Sequence, residues 1–201
     1  MVAGFVSSFG LQSQRGRPMV SRRTRLDMAV GILFSTTTGN TSTVADLIKQ
    51  NIGSECKDPI DVGDISSASD YADCTGFIVG APTWNTDADE DRSGTPMDEF
   101  INDGIEQLNL SGKPVAIFGL GDSVGYGDNL CDAIEELHDK FSSQGAKMVG
   151  YTDEGGYSHS SSKSAKNGKF LGLPLDEDNE SDMTEDRIKN WCAQLKSEMS
   201  L

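Results

Sequence analysis

No CxxC pair, no Walker phosphate loop and no GxGxxG turn occurs anywhere in the 201 residues. A structural zinc or iron–sulfur centre has little support from such a chain, and a triphosphate site of the Walker type has none. The four cysteines (Cys56, Cys74, Cys131, Cys192) are widely scattered, which reads as reduced thiols in an intracellular compartment. The two histidines, His138 and His159, lie far apart in sequence. No apolar run approaches the roughly 20 residues of a membrane span, so no membrane insertion is expected. Basic residues are also scarce, with 17 Lys+Arg against 32 Asp+Glu and a net charge of -15. Nucleic acid and anionic membrane surfaces are therefore poor partners, and a protein with a basic face is a good one. With no triad, metal cluster or general-acid pair in view, no catalytic residue and no metal ligand is assigned.

The charge that is present is unevenly placed. Residues 1–28 hold five of the basic residues (Arg15, Arg17, Arg22, Arg23, Arg25) and a single acid, Asp27, so the remainder carries 12 basic against 31 acidic residues. Rich in Ser, Gly and Arg, this segment reads as a targeting extension for an organelle; a disordered basic arm is the alternative. Residues 29–201 have the length and apolar content of one domain with a normal core.

Along that domain, strand and helix patterns alternate about five times. "AVGILF", Ala29 to Phe34, is continuously apolar, as expected of a central strand in a parallel sheet. "STVADLIKQNI" then places Val44, Leu47, Ile48 and Ile52 on one helical face. Further strands are expected near Pro59–Val62, Thr75–Ala81 and Pro114–Phe118, and in "AKMVGY". Residues 85–96 read as a long acidic loop, after which Pro96 opens a helix carrying Met97, Phe100, Ile101 and Ile105. "NLCDAIEELHDKFSSQG" is a second amphipathic helix closed by Gly145, and Thr184–Lys196 a last one bearing Ile188, Trp191, Cys192 and Leu195. The polar stretch Thr152–Lys169 interrupts the final strand, which resumes in "FLGLPL". The expected architecture is a doubly wound α/β fold: a five-stranded parallel sheet between helices, its last strand split by a long loop.

Three loops fall at carboxyl ends of strands, where such folds bind ligands. "LFSTTTGNT" runs from the first strand straight into a helix N-terminus, whose free N–H groups and dipole suit a phosphate. Ser35, Thr36, Thr38, Asn40 and Thr41 add neutral donors, and Gly39 permits close approach. With no cation in the loop, a monoester phosphate fits better than a triphosphate. The competing reading is a capped helix that holds nothing. "APTWNTDADED" and "GLGDSVGYGDN" carry Trp84 and Tyr126, an aromatic on each rim that can sandwich a planar ring. One phosphate and one flat ring describe a mononucleotide, here a flavin.

Taken together, "STTTGNT", "APTWNT", "GLGDSVGYGDN", the interruption at 152–169 and "NGKFLGLPLDEDN" make residues 29–197 resemble long-chain flavodoxins of the algal and cyanobacterial type. The resemblance implies noncovalent FMN and one-electron transfer at low potential. It places Ser35, Thr36, Thr37, Thr38, Gly39, Asn40 and Thr41 around the phosphate, and Trp84 and Tyr126 on the two flavin faces. Thr83, Asn85 and Thr86 would lie near N5 and the ribityl chain; Gly121, Asp122, Asp128 and Asn129 near the pyrimidine edge. Asp87 stands where some relatives carry glycine. As partners it implies photosystem I and ferredoxin–NADP reductase, with the protein replacing ferredoxin under iron limitation as a monomer, and the basic leader then points to the plastid stroma. The rival on the same fold is an FMN-dependent quinone or NADPH oxidoreductase. A response-regulator receiver fails, because strand one ends in hydroxyls and strand three in "APTW" where that module needs acids.

Overall fold

The computed structural model describes residues 1, 29–82, 84 and 92–201. The segment expected to be a targeting extension, residues 2–28, and the acidic stretch 85–91 lie outside the described residues.

Among the described residues the helices and strands follow in the order β1 (Gly31–Phe34), α1 (Asn40–Ile52), β2 (Ile60–Asp61), β3 (Phe77–Ala81), α2 (Met97–Glu99), β4 (Pro114–Leu120), α3 (Ala133–Ser143), β5 (Lys147–Val149), β6 (Thr152–Asp153), β7 (Ala165–Lys166), β8 (Lys169–Phe170), β9 (Leu173–Leu175) and α4 (Ser181–Glu198). The sheet runs β2-β1-β3-β4-β5, all neighbours parallel. Strand order reverses at β1, so the crevice between the carboxyl ends of β1 and β3 is where ligands collect in this fold class.

Period-two alternation divides the apolar strands between two cores. Ile32, Phe34, Ile78, Ala116 and Phe118 face α1 and α4, packing with Val44, Ile48, Ile188, Trp191 and Leu195. Leu33, Phe77, Val79, Val115 and Ile117 face the other way, against Met97, Phe100, Ile105, Ile134, Leu137 and Phe141. Burial of both faces is why these strands read as unbroken apolar runs.

The last strand is split as expected. β5 pairs with the first half of β4 (Pro114↔Lys147 to Ala116↔Val149), and β9 with the second half (Phe118↔Leu173 to Leu120↔Leu175). Gly172 sits at the rejoining point, where an added Cβ would lie 2.3 Å from the Ile117 carbonyl oxygen, so a side chain there would force the strands apart.

Four details differ from the sequence reading. The polar interruption is itself ordered, as a small antiparallel sheet β6-β8-β7. Phe170 belongs to that sheet and not to the resumed strand, because its ring is the apolar seat for Tyr157 and His159, at 5.1 and 5.2 Å between ring centroids. The helix begun at Pro96 keeps α geometry only to Glu99, widens into a π turn over Phe100–Gly104 and tightens to 3-10 over Ile105–Leu108. α4 starts at Ser181 and ends at Glu198, longer at both ends than its apolar face suggested.

Candidate functional site

The 35–41 loop leaves β1 and enters α1 with almost no internal capping. Gly39 occupies the N-cap with φ of 99°, a left-handed conformation that glycine adopts without penalty. No side chain caps α1 and no acid lies in its first turn. The competing reading of a side-chain-capped helix does not hold, since Gly39 is the N-cap and Asn40 is already the first helical residue. The Thr36 hydroxyl turns back to accept the Gly39 N–H at 3.0 Å, which closes the loop. Ser35 is fully buried, with its hydroxyl 2.8 Å from that of Thr95. Thr41 is 1% exposed, and its Oγ1 is buried without a hydrogen-bond partner. A buried hydroxyl left in that state costs on the order of 1–3 kcal/mol until something accepts from or donates to it.

Thr41 lines a cleft of about 270 Å³, together with Thr37, Thr38, Asn40, Pro82, Leu120, Gly121, Glu177 and Asp178. Five of the site residues expected from the sequence thus meet in one enclosure. A larger cleft of about 470 Å³ opens beside α3, lined by Arg92, Asp132, Glu136 and Lys140 among others. Its charged groups already have partners, Arg92 on Glu136 at 2.5 Å, Lys140 on Asn102 at 3.3 Å and Glu135 on Lys166 at 2.7 Å, so volume alone does not make it the better site.

Gly121 brings the start of the 121–129 loop to the same cleft. The Gly121 N–H extends the β4–β9 ladder by donating to the Leu175 carbonyl at 2.9 Å. Asp122 then folds the chain over: its Oδ1 accepts N–H groups from Val124 at 3.0 Å and Gly125 at 2.7 Å. The Gly125 amide and the Asn179 side chain hold the Asp122 carboxyl below its ordinary range. Tyr126 is 64% exposed and Val124 79%, and these are the two large apolar side chains this loop presents to solvent. The far end of the loop is strapped by the split-strand insertion. Ser160 and Ser161 amides donate to the Gly127 carbonyl at 2.8 and 3.2 Å, and the Ser161 hydroxyl donates to that of Asp128 at 2.6 Å.

Not every expected residue reaches the cleft. Asp128 and Asn129 are exposed outside it, and the Asn129 side chain donates to Asp132 at 3.1 Å. Trp84 is not the exposed rim aromatic that the loop composition suggested. It is 8% exposed within the α2/α3-side core, with its indole Nε1 buried and lacking a hydrogen-bond partner. A few residues beyond the end of β3, Trp84 belongs to the same buried cluster as Leu33, Val79 and Ala81. Thr83, Asn85 and Thr86 lie outside the described residues.

Sequence reasoning missed the fourth segment of the site, the turn after β9. Glu177 and Asp178 line the cleft, and Asp176 and Asn179 reach across to the 121–129 loop. The signal was present in "LPLDEDN", a polar turn at the carboxyl end of a strand bordering the same crevice.

All four cysteines are buried and free. Burial pushes the thiols of Cys56 to about 11 and of Cys131 and Cys192 to about 12, so these three are inert as nucleophiles near neutral pH. Among the described residues no group of acids, histidines and cysteines could hold a metal ion, and no helix is long and apolar enough to cross a membrane.

Comparison with known proteins gives concordant results. The flavodoxin family model matches residues 32–191. A flavodoxin from Nostoc is 43% identical over 175 residues, covering 86% of this chain and 98% of its own. One from Synechococcus elongatus is also 43% identical, with the same coverage, and flavodoxin 2 of Escherichia coli is 38% identical over 176 residues. Among solved structures, a Fusobacterium nucleatum flavodoxin bound to flavin mononucleotide superposes with a TM-score of 0.74 at 27% identity, covering 85% of this chain and 98% of that one.

Proposed function

The chain belongs to the flavodoxin family, and from that premise we propose that it is a low-potential one-electron carrier with FMN as its cofactor. The observation that carries this reading is the Thr41 hydroxyl, buried and partnerless in a cleft at an uncapped helix N-terminus. Phosphate oxygens are the acceptors such a hydroxyl and such amides fit. The residues present therefore suit the group.

When bound, FMN supplies the redox chemistry, and the protein supplies position and field. The 36–41 loop holds the phosphate end through backbone amides and neutral hydroxyls, with no cation to offset its charge. Gly121 and Asp122 are assigned to the ring's polar edge and the exposed Tyr126 to one face, whereas Trp84 is buried in the core and Asp128 and Asn129 turn outside the cleft. Thr83, Asn85 and Thr86, outside the described residues, are assigned to N5 and the ribityl chain by the resemblance alone. Asp122 is kept ionised by the hydrogen bonds it accepts, and Glu177 and Asp178 add further carboxylates beside the cleft. Fixed negative charge disfavours any additional negative charge placed nearby, which lowers the potential for accepting a second electron.

The function is therefore that of a carrier and not an enzyme. An acidic protein with a net charge of -15 steers toward partners with a basic docking face. Similarity to cyanobacterial flavodoxins supports photosystem I as electron donor and ferredoxin–NADP reductase as acceptor, in place of ferredoxin when iron is short. The basic leader supports the plastid stroma as location, with the protein acting as a monomer.

Anaerobic stepwise reduction of the FMN-loaded protein tests this. Two resolved one-electron potentials, the second well below the first, are expected. A single two-electron transition, or turnover of NADPH with quinones, would transfer the reading to the oxidoreductase.

A further inference from the structure

Asp176 is 2% exposed and stands at the end of β9, 53 positions along the chain from the loop it holds. Its two oxygens are divided between two tasks. Oδ1 accepts the N–H groups of Asp178 at 3.0 Å and Asn179 at 2.9 Å, which shapes the turn into α4. Oδ2 accepts the Ser123 N–H at 2.8 Å, a bond that contributes nothing to that turn. From the same turn the single Nδ2 of Asn179 lies 3.0 and 3.1 Å from the two Asp176 oxygens and 2.9 Å from Asp122 Oδ1. One amide thus stands between two carboxylates that would otherwise repel. Asp122 is in turn the residue that folds Val124 and Gly125 back and sets where Tyr126 emerges.

We propose that Asp176 and Asn179 are positioning residues: they fix the Asp122–Tyr126 loop in the shape that receives the flavin ring, a role that rests on the FMN reading and adds to it. The Asn179 side chain bonds Asp122 and Asp176 and makes no bond to the 35–41 loop, so its part of the clamp acts on the ring side. Its loss should therefore weaken recognition of the ring and leave recognition of the phosphate intact, a split that general destabilisation would not produce.

The test uses Asn179→Asp, an exposed and isosteric change that removes the NH2 donor and adds a third carboxylate, with Asn179→Ala as the uncharged control. Affinities are measured for FMN, for riboflavin and for inorganic phosphate, the last followed through the amide shifts of residues 36–41. Asn179→Asp should weaken FMN and riboflavin by the same factor, about ten-fold or more, and Asn179→Ala by less, with phosphate unchanged. Equal factors separate loop misplacement from repulsion of the FMN phosphate, because riboflavin carries none. Wild-type affinity for both flavins in both variants would overturn the clamp while leaving the FMN reading standing, and so would a parallel loss of phosphate binding. Failure of the wild-type protein to bind FMN would overturn both.

Discussion

The 35–41 and 121–129 loops face one crevice but are held by different means. The first is tied to the fold at its start, where Ser35 meets Thr95 and Gly80, and is local beyond that: Gly39 turns, α1 begins, and the hydrogen bonds of Thr36 and Thr43 stay within the loop and its helix. It leaves the helix N-terminus without a side-chain cap and one buried hydroxyl without a partner. The second is held from a distance, by Asp176 and Asn179 on one side and Ser160–Ser162 on the other. Its polar groups are almost all used. A loop that grips a phosphate gains from unfilled donors, since the ligand fills them. A loop that meets a flat ring must instead hold its shape, and carboxylates from elsewhere in the fold provide that.

The contrast is broken most severely at Asp176. Asp176→Ala strands the N–H groups of Ser123, Asp178 and Asn179 together, and should cost about 3 kcal/mol in denaturant unfolding. Thr41→Val is the counterpart on the first loop and should act with opposite signs. Removing a buried partnerless hydroxyl should raise stability of the FMN-free protein by about 1 kcal/mol while weakening FMN roughly ten-fold, as read by flavin fluorescence quenching. A fall in both would mean that Thr41 has a structural partner and the first loop is not built around an absent acceptor. Tyr126→Ala removes an exposed ring, so stability should stay within about 0.5 kcal/mol. FMN affinity should fall several-fold, in line with about 0.5–1.5 kcal/mol for a stacked aromatic pair.

The smallest effect is in pH. Burial alone would raise the Asp176 carboxyl, but hydrogen bonds from Ser123 and Asn179 outweigh it and the net shift is downward from the ordinary 3.8. A carboxyl whose pKa falls on folding stabilises the folded state above that ordinary value. The contribution is lost as pH drops through the lowered folded value. Acid unfolding of the wild-type protein should therefore steepen below pH 3.8, and Asp176→Asn should flatten that limb.

The strands legible in the sequence were those buried on both faces, because β1, β3 and β4 are apolar without interruption. The split of the last strand was also legible, from polar residues where apolar ones were due. Less legible was the π turn at Phe100–Gly104, since its apolar residues fit a regular helix equally well. The order within 152–169 was hidden too: its few pairings rest on Phe170, Tyr157 and Arg187, which come together only in space, with the Arg187 guanidinium 4.1 Å from the Tyr157 ring. In the site, the hydroxyl loop declared itself through composition, whereas the inward turn of Trp84 did not.

The sequence by itself determined the alternating α/β order, the strand-to-helix loop with its neutral donors, and the acidic field around it. These follow from residue type and from spacing along the chain. Only the tertiary structure decided that Thr41 is left without a partner, that Asp176 reaches Ser123, and that the insertion straps Gly127. The last two depend on β9 lying beside β4 and on the 152–169 segment folding back over the 121–129 loop, and contacts across 53 and 33 residues are set by packing, which periodicity does not encode.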